Sequence, residues 1–130
     1  MVTLYGRSLS HYQISKVEHL NGNGTASFWL KHEWIDSSLA IRLENLQRYS
    51  TLSILADPML VFAFMVGHSS VLHLCKSVDL LADTKENQAK VFEYQARAIS
   101  AAQAISHLAK ASTAISYFKV SYSANLIFCA

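Results

Sequence analysis

Asp57-Pro58 opens the stretch that most narrows what this chain can fold into. An aspartate followed by proline is a strong helix start: the carboxylate caps free amides, and proline suits the first helical position. From there to about Leu81 the chain is apolar on nearly every side. A helix of that kind has no solvent face, so it is expected to sit centrally with other elements around it. Its longest unbroken apolar run, Met59 to Val66, ends in Gly67-His68-Ser69-Ser70. A membrane span needs about 20 mostly apolar residues, so the stretch reads as a buried helix and no membrane contact is expected.

The rest of the chain supplies helices to surround it. Asn21-Gly22-Asn23-Gly24 forces a turn, with the loop over residues 21–26. Before it, Thr3 to Leu20 reads as a helix interrupted by small and β-branched residues. After it, Ser27 is placed as the N-cap of a helix running to about Tyr49, with Ile35, Leu39, Leu43 and Leu46 on one apolar face. Asp83 and Glu86 have the spacing of a capping box for the next helix. Along that helix Val91, Tyr94, Ala98, Ala101, Ile105 and Leu108 form a seam for close packing, within the chain or against a second copy. A final helix is expected to start near Thr113. No sustained period-two pattern marks a strand. The expected fold is all-α, about five helices, with residues 1–130 forming a single helical domain or part of a larger one.

Composition removes several functions. At 52 % apolar and 15 % charged, the 130 residues form a core rather than a disordered tail. The net charge is +2 and the eleven Lys and Arg are scattered from Arg7 to Lys119, so no nucleic-acid face is expected. Two cysteines, Cys75 and Cys129, make neither a disulfide framework nor a zinc spacing, which points to a reducing compartment and no cofactor. The sequon Asn23-Gly24-Thr25 is read as coincidental, because Met1 to Ser10 lacks a signal-peptide pattern. Leu126 to Ala130 is apolar and has no helix-stop device, so the chain is expected to stop partway through a helix of a larger parent domain.

Candidate chemistry is thin. His68, His73 and Cys75 look metal-like, but His73 points about 140° from His68 around a helix, and neither CxxC nor HExxH is present. They are read as core or half-buried residues. His32 and Asp36, four apart beside Glu33, suit an imidazole–carboxylate contact on one helix face. No nucleophile accompanies them, so they are read as a helix-surface pair beside a buried tryptophan, and no catalytic residue is assigned. Cys75 and Cys129 are read as inert.

The segment Phe28-Trp29-x-Lys31-His32-x-x-Ile35-Asp36-x-x-Leu39 resembles a helix of the fungal-specific transcription factor domain, the helical middle homology region of fungal zinc-cluster regulators. Three further segments are similar to that domain in the same order. They are Leu4 to His11 with its "GR…H" ending, the Asp57-Pro58-led apolar helix to Leu72-His73-Leu74-Cys75, and Glu93 to Ala102. The chain departs from the pattern where Leu46 is followed by Gln47 rather than proline, and where Ala98 replaces a cysteine. The six-cysteine zinc cluster that reads DNA is absent. The resemblance implies a nuclear, non-enzymatic regulatory region, with a protein partner or self-association and a small-molecule effector as the contacts it allows. It makes Phe28, Trp29, Ile35 and Leu39 core anchors and His32 with Asp36 an orienting polar pair. The rival expectations are a stand-alone interaction or oligomerisation module, cytoplasmic if the resemblance fails, and a small helical enzyme or ligand-binding protein.

Overall fold

The computed structural model describes residues 1–22, 26–81 and 85–129, with the side chains of Ala26, Glu86 and residues 115–129 left aside. It contains five helices: α1 (Val2–Leu20), α2 (Ala26–Gln47), α3 (Thr51–Ala56), α4 (Pro58–Asp79) and α5 (Lys85–Cys129). There is no strand among the described residues. The all-α expectation holds.

α4 is the hub, touching each of the other four helices. It starts as its sequence dictates: Pro58 takes the first turn, and Asp57 Oδ1 accepts the Met59 amide at 2.9 Å. Pro58 also ends the helix before it, because the residue preceding a proline is driven into extended backbone. Asp57 has φ −116° and ψ 108°, which closes α3 after six residues. α3 escapes the sequence reading because it is so short. Its start is local all the same, the Ser53 amide donating to Ser50 Oγ at 3.2 Å.

The core gathers Leu4, Ile35, Leu39, Val71, Leu74, Val78, Val91, Tyr94 and Ala101 from α1, α2, α4 and α5. The expected seam on α5 therefore packs within the chain, with Val91, Tyr94, Ala101 and Leu108 buried. Small residues bring the helices together. Ser8, Ser70 and Ser77 are fully buried, each hydroxyl donating to the carbonyl four residues earlier, which lets a polar side chain lie at a helix contact without an orphan donor. At the α2–α4 crossing a Cβ on Gly67 would stand 2.7 Å from Leu43 Cδ2, so hydrogen is the fit there.

Four expectations change. Ser27, expected as the N-cap of α2, is its second residue, because the helix already starts at Ala26. α4 is buried mainly in its second half, and there with Lys76 still at the surface: Ser70 to Val78 are mostly buried, whereas Met59 and Phe62 are exposed. It is also long and apolar enough to cross a membrane by length and composition alone, and in this fold it is the helix the others pack on. No helix begins at Thr113, because α5 runs unbroken from Lys85. No glycine or proline interrupts that stretch, and Thr113 Oγ1 donates back to the Ala109 carbonyl at 2.8 Å instead of capping. The turn after α1 forms as expected, with Gly22 at φ +71°. The proposed capping carboxylate Asp83 and the sequon Asn23 lie outside the described residues.

Candidate functional site

The segment Phe28 to Leu39 lies on α2 and turns one face inward: Phe28, His32, Ile35 and Leu39 are all buried. The periodicity that placed Ile35 and Leu39 in the core also carries His32 there. A buried imidazole needs a partner, and it comes from α1: His11 Nε2 lies 3.3 Å from His32 Nδ1, one nitrogen donating to the other. His32 then stacks on Phe28, meets Trp29 and Tyr94 edge-on, and keeps Nε2 buried without a hydrogen-bond partner.

That setting decides its protonation. A charged His32 would need acceptors for both ring N–H groups, and its Nε2 faces aromatic rings. Burial, with His11 nearby, holds the His32 pKa down to about 4, the pull of Asp36 being too weak to restore it. Burial and then Lys31 lower His11 as well, against a smaller opposing effect of Glu18. Both imidazoles are neutral at neutral pH.

Asp36 lies one turn on from His32 but does not bond to it; the expected His32–Asp36 contact is not formed. Its carboxylate instead reaches α5, where Arg97 grips both oxygens, Nη2 to Oδ1 at 2.6 Å and Nη1 to Oδ2 at 3.0 Å, and the Tyr94 hydroxyl donates to Oδ2 at 3.0 Å. Burial alone would raise the Asp36 pKa, but the hydrogen bonds and charge of Arg97, with Tyr94, hold it below the usual carboxylate range. The hydrogen bonds to Asp36 raise Arg97 in turn, against its partial burial. Burial and the neighbouring Asp36 raise the Tyr94 phenol. Arg97 also lies over the Tyr94 ring, 4.7 Å from its centroid, and Lys90 lies 4.2 Å from the centre of the Trp29 ring.

These long side chains connect two helices whose backbones stay apart. No Cα atoms of α2 and α5 come within 8 Å among the described residues. The two helices are joined through Asp36–Arg97, Asp36–Tyr94, His32–Tyr94 and Trp29–Lys90. The site is a polar brace inside a helical bundle: α1 is tied to α2 by a histidine pair and α2 to α5 by a bidentate ion pair.

The other candidates scatter. His68 packs on Phe64 at 4.5 Å and His73 meets Tyr5 edge-on at 5.2 Å, each with one buried nitrogen lacking a partner. Cys75 lies in the core, its thiol pushed up by burial to about 11. Among the described residues no three His, Cys, Asp or Glu side chains gather as metal ligands. Cys129 falls among the side chains left aside. The sequence alone pointed to His32 and Asp36 but not to their partners His11, Tyr94 and Arg97. A signal was present, since each partner lies within one of the segments that carry the resemblance, Leu4 to His11 and Glu93 to Ala102.

No family model and no solved structure matches the chain. Curated relatives do. The citrinin biosynthesis transcriptional activator mrl3 of Monascus ruber is 40 % identical over 127 residues, covering 97 % of this chain and 25 % of the activator. The citrinin activator ctnR of Monascus purpureus is 40 % identical over 121 residues, 92 % of this chain and 21 % of that protein. The azaphilone cluster-specific transcription factor azaR of Aspergillus niger is 36 % identical over 122 residues, 92 % and 26 % respectively. The chain spans about a quarter of the length of these relatives. Over nearly all its length, the chain is therefore related by sequence to one segment of fungal cluster-specific transcriptional activators.

Proposed function

We propose that the chain is a regulatory helical region of a fungal transcriptional regulator, acting in the nucleus without touching DNA and without catalysing a reaction. The observation that carries this reading is the match to mrl3, which takes in 97 % of the chain yet only 25 % of the activator. The chain thus matches about a quarter of a longer regulator's length, and its identifiable polar groups brace helices together. A region of this kind acts through a protein partner or self-association, and a small-molecule effector is the natural signal for it.

A chimaera tests the reading. The chain replaces the matching segment of mrl3 in Monascus ruber, and transcription of the citrinin biosynthesis genes is measured. The expected result is that the chimaera activates those genes and a version lacking the segment does not. A chimaera that accumulates in the nucleus but stays silent would overturn the proposal, as would retardation of DNA by the isolated chain. The exposed Leu52, Met59 and Phe62 on α3 and the start of α4 favour a second reading, a stand-alone interaction or oligomerisation module. A stand-alone module would not restore the activator.

A further inference from the structure

His11 of α1 meets Phe28 of α2, and Arg7 meets Trp34, so the two helices run antiparallel. Their outer faces enclose a groove of about 680 Å³. That is within the range of small-ligand sites, which are apolar and aromatic with a few placed polar groups. We propose that this groove binds a planar aromatic anion, its rings against Trp34 and its acidic group on Arg7 and Lys31.

The groove's own residues make the case. Ile14, Leu30 and Trp34 line it and stay at least half exposed, in a chain that buries Phe28 and Ile35 in the same wall. The Arg7 guanidinium lies over Trp34, 4.7 Å from the ring centre, where it extends an aromatic surface and offers a planar fork of donors to an anion. Neither Arg7 nor Lys31 has a carboxylate partner among the described residues. Lys31 precedes Trp34 by three residues, one helical turn, so it stands beside the tryptophan on the groove wall and acts by its charge on His11 as well. The one lining carboxylate, Glu18, is eleven residues from Arg7, about 16 Å along α1. The groove therefore carries its positive charge beside its exposed tryptophan ring. His11 supplies a further polar group: it lines the groove and is 6 % exposed, its Nε2 is engaged by His32, and among the described residues no partner takes Nδ1. The inference does not depend on the regulatory reading, since the groove belongs to the fold itself.

Two fluorescent probes separate charge from ring contact. They are 1-anilinonaphthalene-8-sulfonate and N-phenyl-1-naphthylamine, the same rings without the sulfonate, each titrated into the 130-residue chain. The expected result is saturable one-to-one binding of the sulfonate. Arg7→Gln should weaken it about tenfold, the effect of losing one charge-assisted contact, and change the neutral amine's affinity far less, through the altered Trp34 stack alone. Lys31→Gln should weaken the sulfonate in the same selective way without disturbing the Trp34 stack. Trp34→Ala should weaken both probes, and Phe62→Ser, at an exposed aromatic outside the groove, should change neither. The proposal is overturned if the sulfonate binds at many sites, if its affinity survives both charge substitutions, or if Phe62→Ser matches Trp34→Ala. All these side chains lie at the surface, so the variants keep the fold, and circular dichroism checks that they do.

Discussion

Asp36→Ala is expected to lower the stability of the chain by about 2 to 3 kcal/mol, read as a shift in the urea unfolding midpoint at unchanged slope. The substitution leaves the Arg97 guanidinium without its bidentate partner and the Tyr94 hydroxyl without an acceptor. Breaking a fully buried ion pair costs about 3 to 5 kcal/mol. The figure here is set lower because the Arg97 side chain is 34 % exposed and Asp36 22 %, so water screens the charge left behind. Arg97→Met should cost less, since it keeps an apolar stem near Tyr94, although it leaves a carboxylate unpaired. The double variant should lose less than the two single losses added together, because each single change leaves the other partner stranded. A loss below about 0.5 kcal/mol for Asp36→Ala, the size of an ordinary surface change, would mean that the brace between α2 and α5 holds nothing.

Acidification should act on the other half of the site. The His32 pKa falls from an ordinary 6.5 to about 4 on folding, so the unfolded chain binds the proton more readily. The stabilisation from keeping His32 neutral is complete above pH 6.5 and is lost progressively as pH falls toward 4. At about 1.4 kcal/mol per pH unit it amounts to roughly 3 kcal/mol. His11, His68 and His73 are lowered by burial too and act in the same direction. Asp36, held below its ordinary value by Arg97, adds a further loss below the unfolded carboxylate range. Urea midpoints at about pH 7.5 and 4.5 should therefore differ strongly in the native sequence. His32→Phe fits the ring cage and cannot titrate; it should flatten that dependence while costing stability at the higher pH, where His11 loses its partner. An unchanged acid limb in His32→Phe would assign the effect to other groups.

Much of this was legible in the residues. Asp57-Pro58 marked the start of α4, Asn21-Gly22 the end of α1, and the spacing from Val91 to Leu108 the buried face of α5. These signals are local: a cap, a turn and a period, each complete within a few residues. The features that stayed hidden were set by other parts of the chain. Nothing near Thr113 says whether a helix starts there or continues, and only the absence of a breaker upstream decides it. The half-covered state of α4 depends on how far its neighbours reach, which hydropathy alone does not record. The site divides in the same way. The sequence read His32 and Asp36 as a bonded pair on the helix surface, whereas His32 is buried on the core face of α2 and longer-range partners supersede the bond that four-residue spacing suggested. His11 and Arg97 are 21 and 61 residues away from the groups they bond. A short helix pair is worth only a few tenths of a kcal/mol, and a bidentate contact with a guanidinium outweighs it.

His32 and Asp36 thus brace the bundle in two ways, His32 as a neutral buried imidazole against His11 and Asp36 as one half of a partly exposed ion pair with Arg97. The most direct test is a nitrogen NMR titration of the His11 and His32 imidazoles in the intact chain. The account predicts that His32 stays neutral down to about pH 4, with one N–H shared between the two rings. A His32 that titrates near its ordinary value of 6.5, independently of His11, would contradict it.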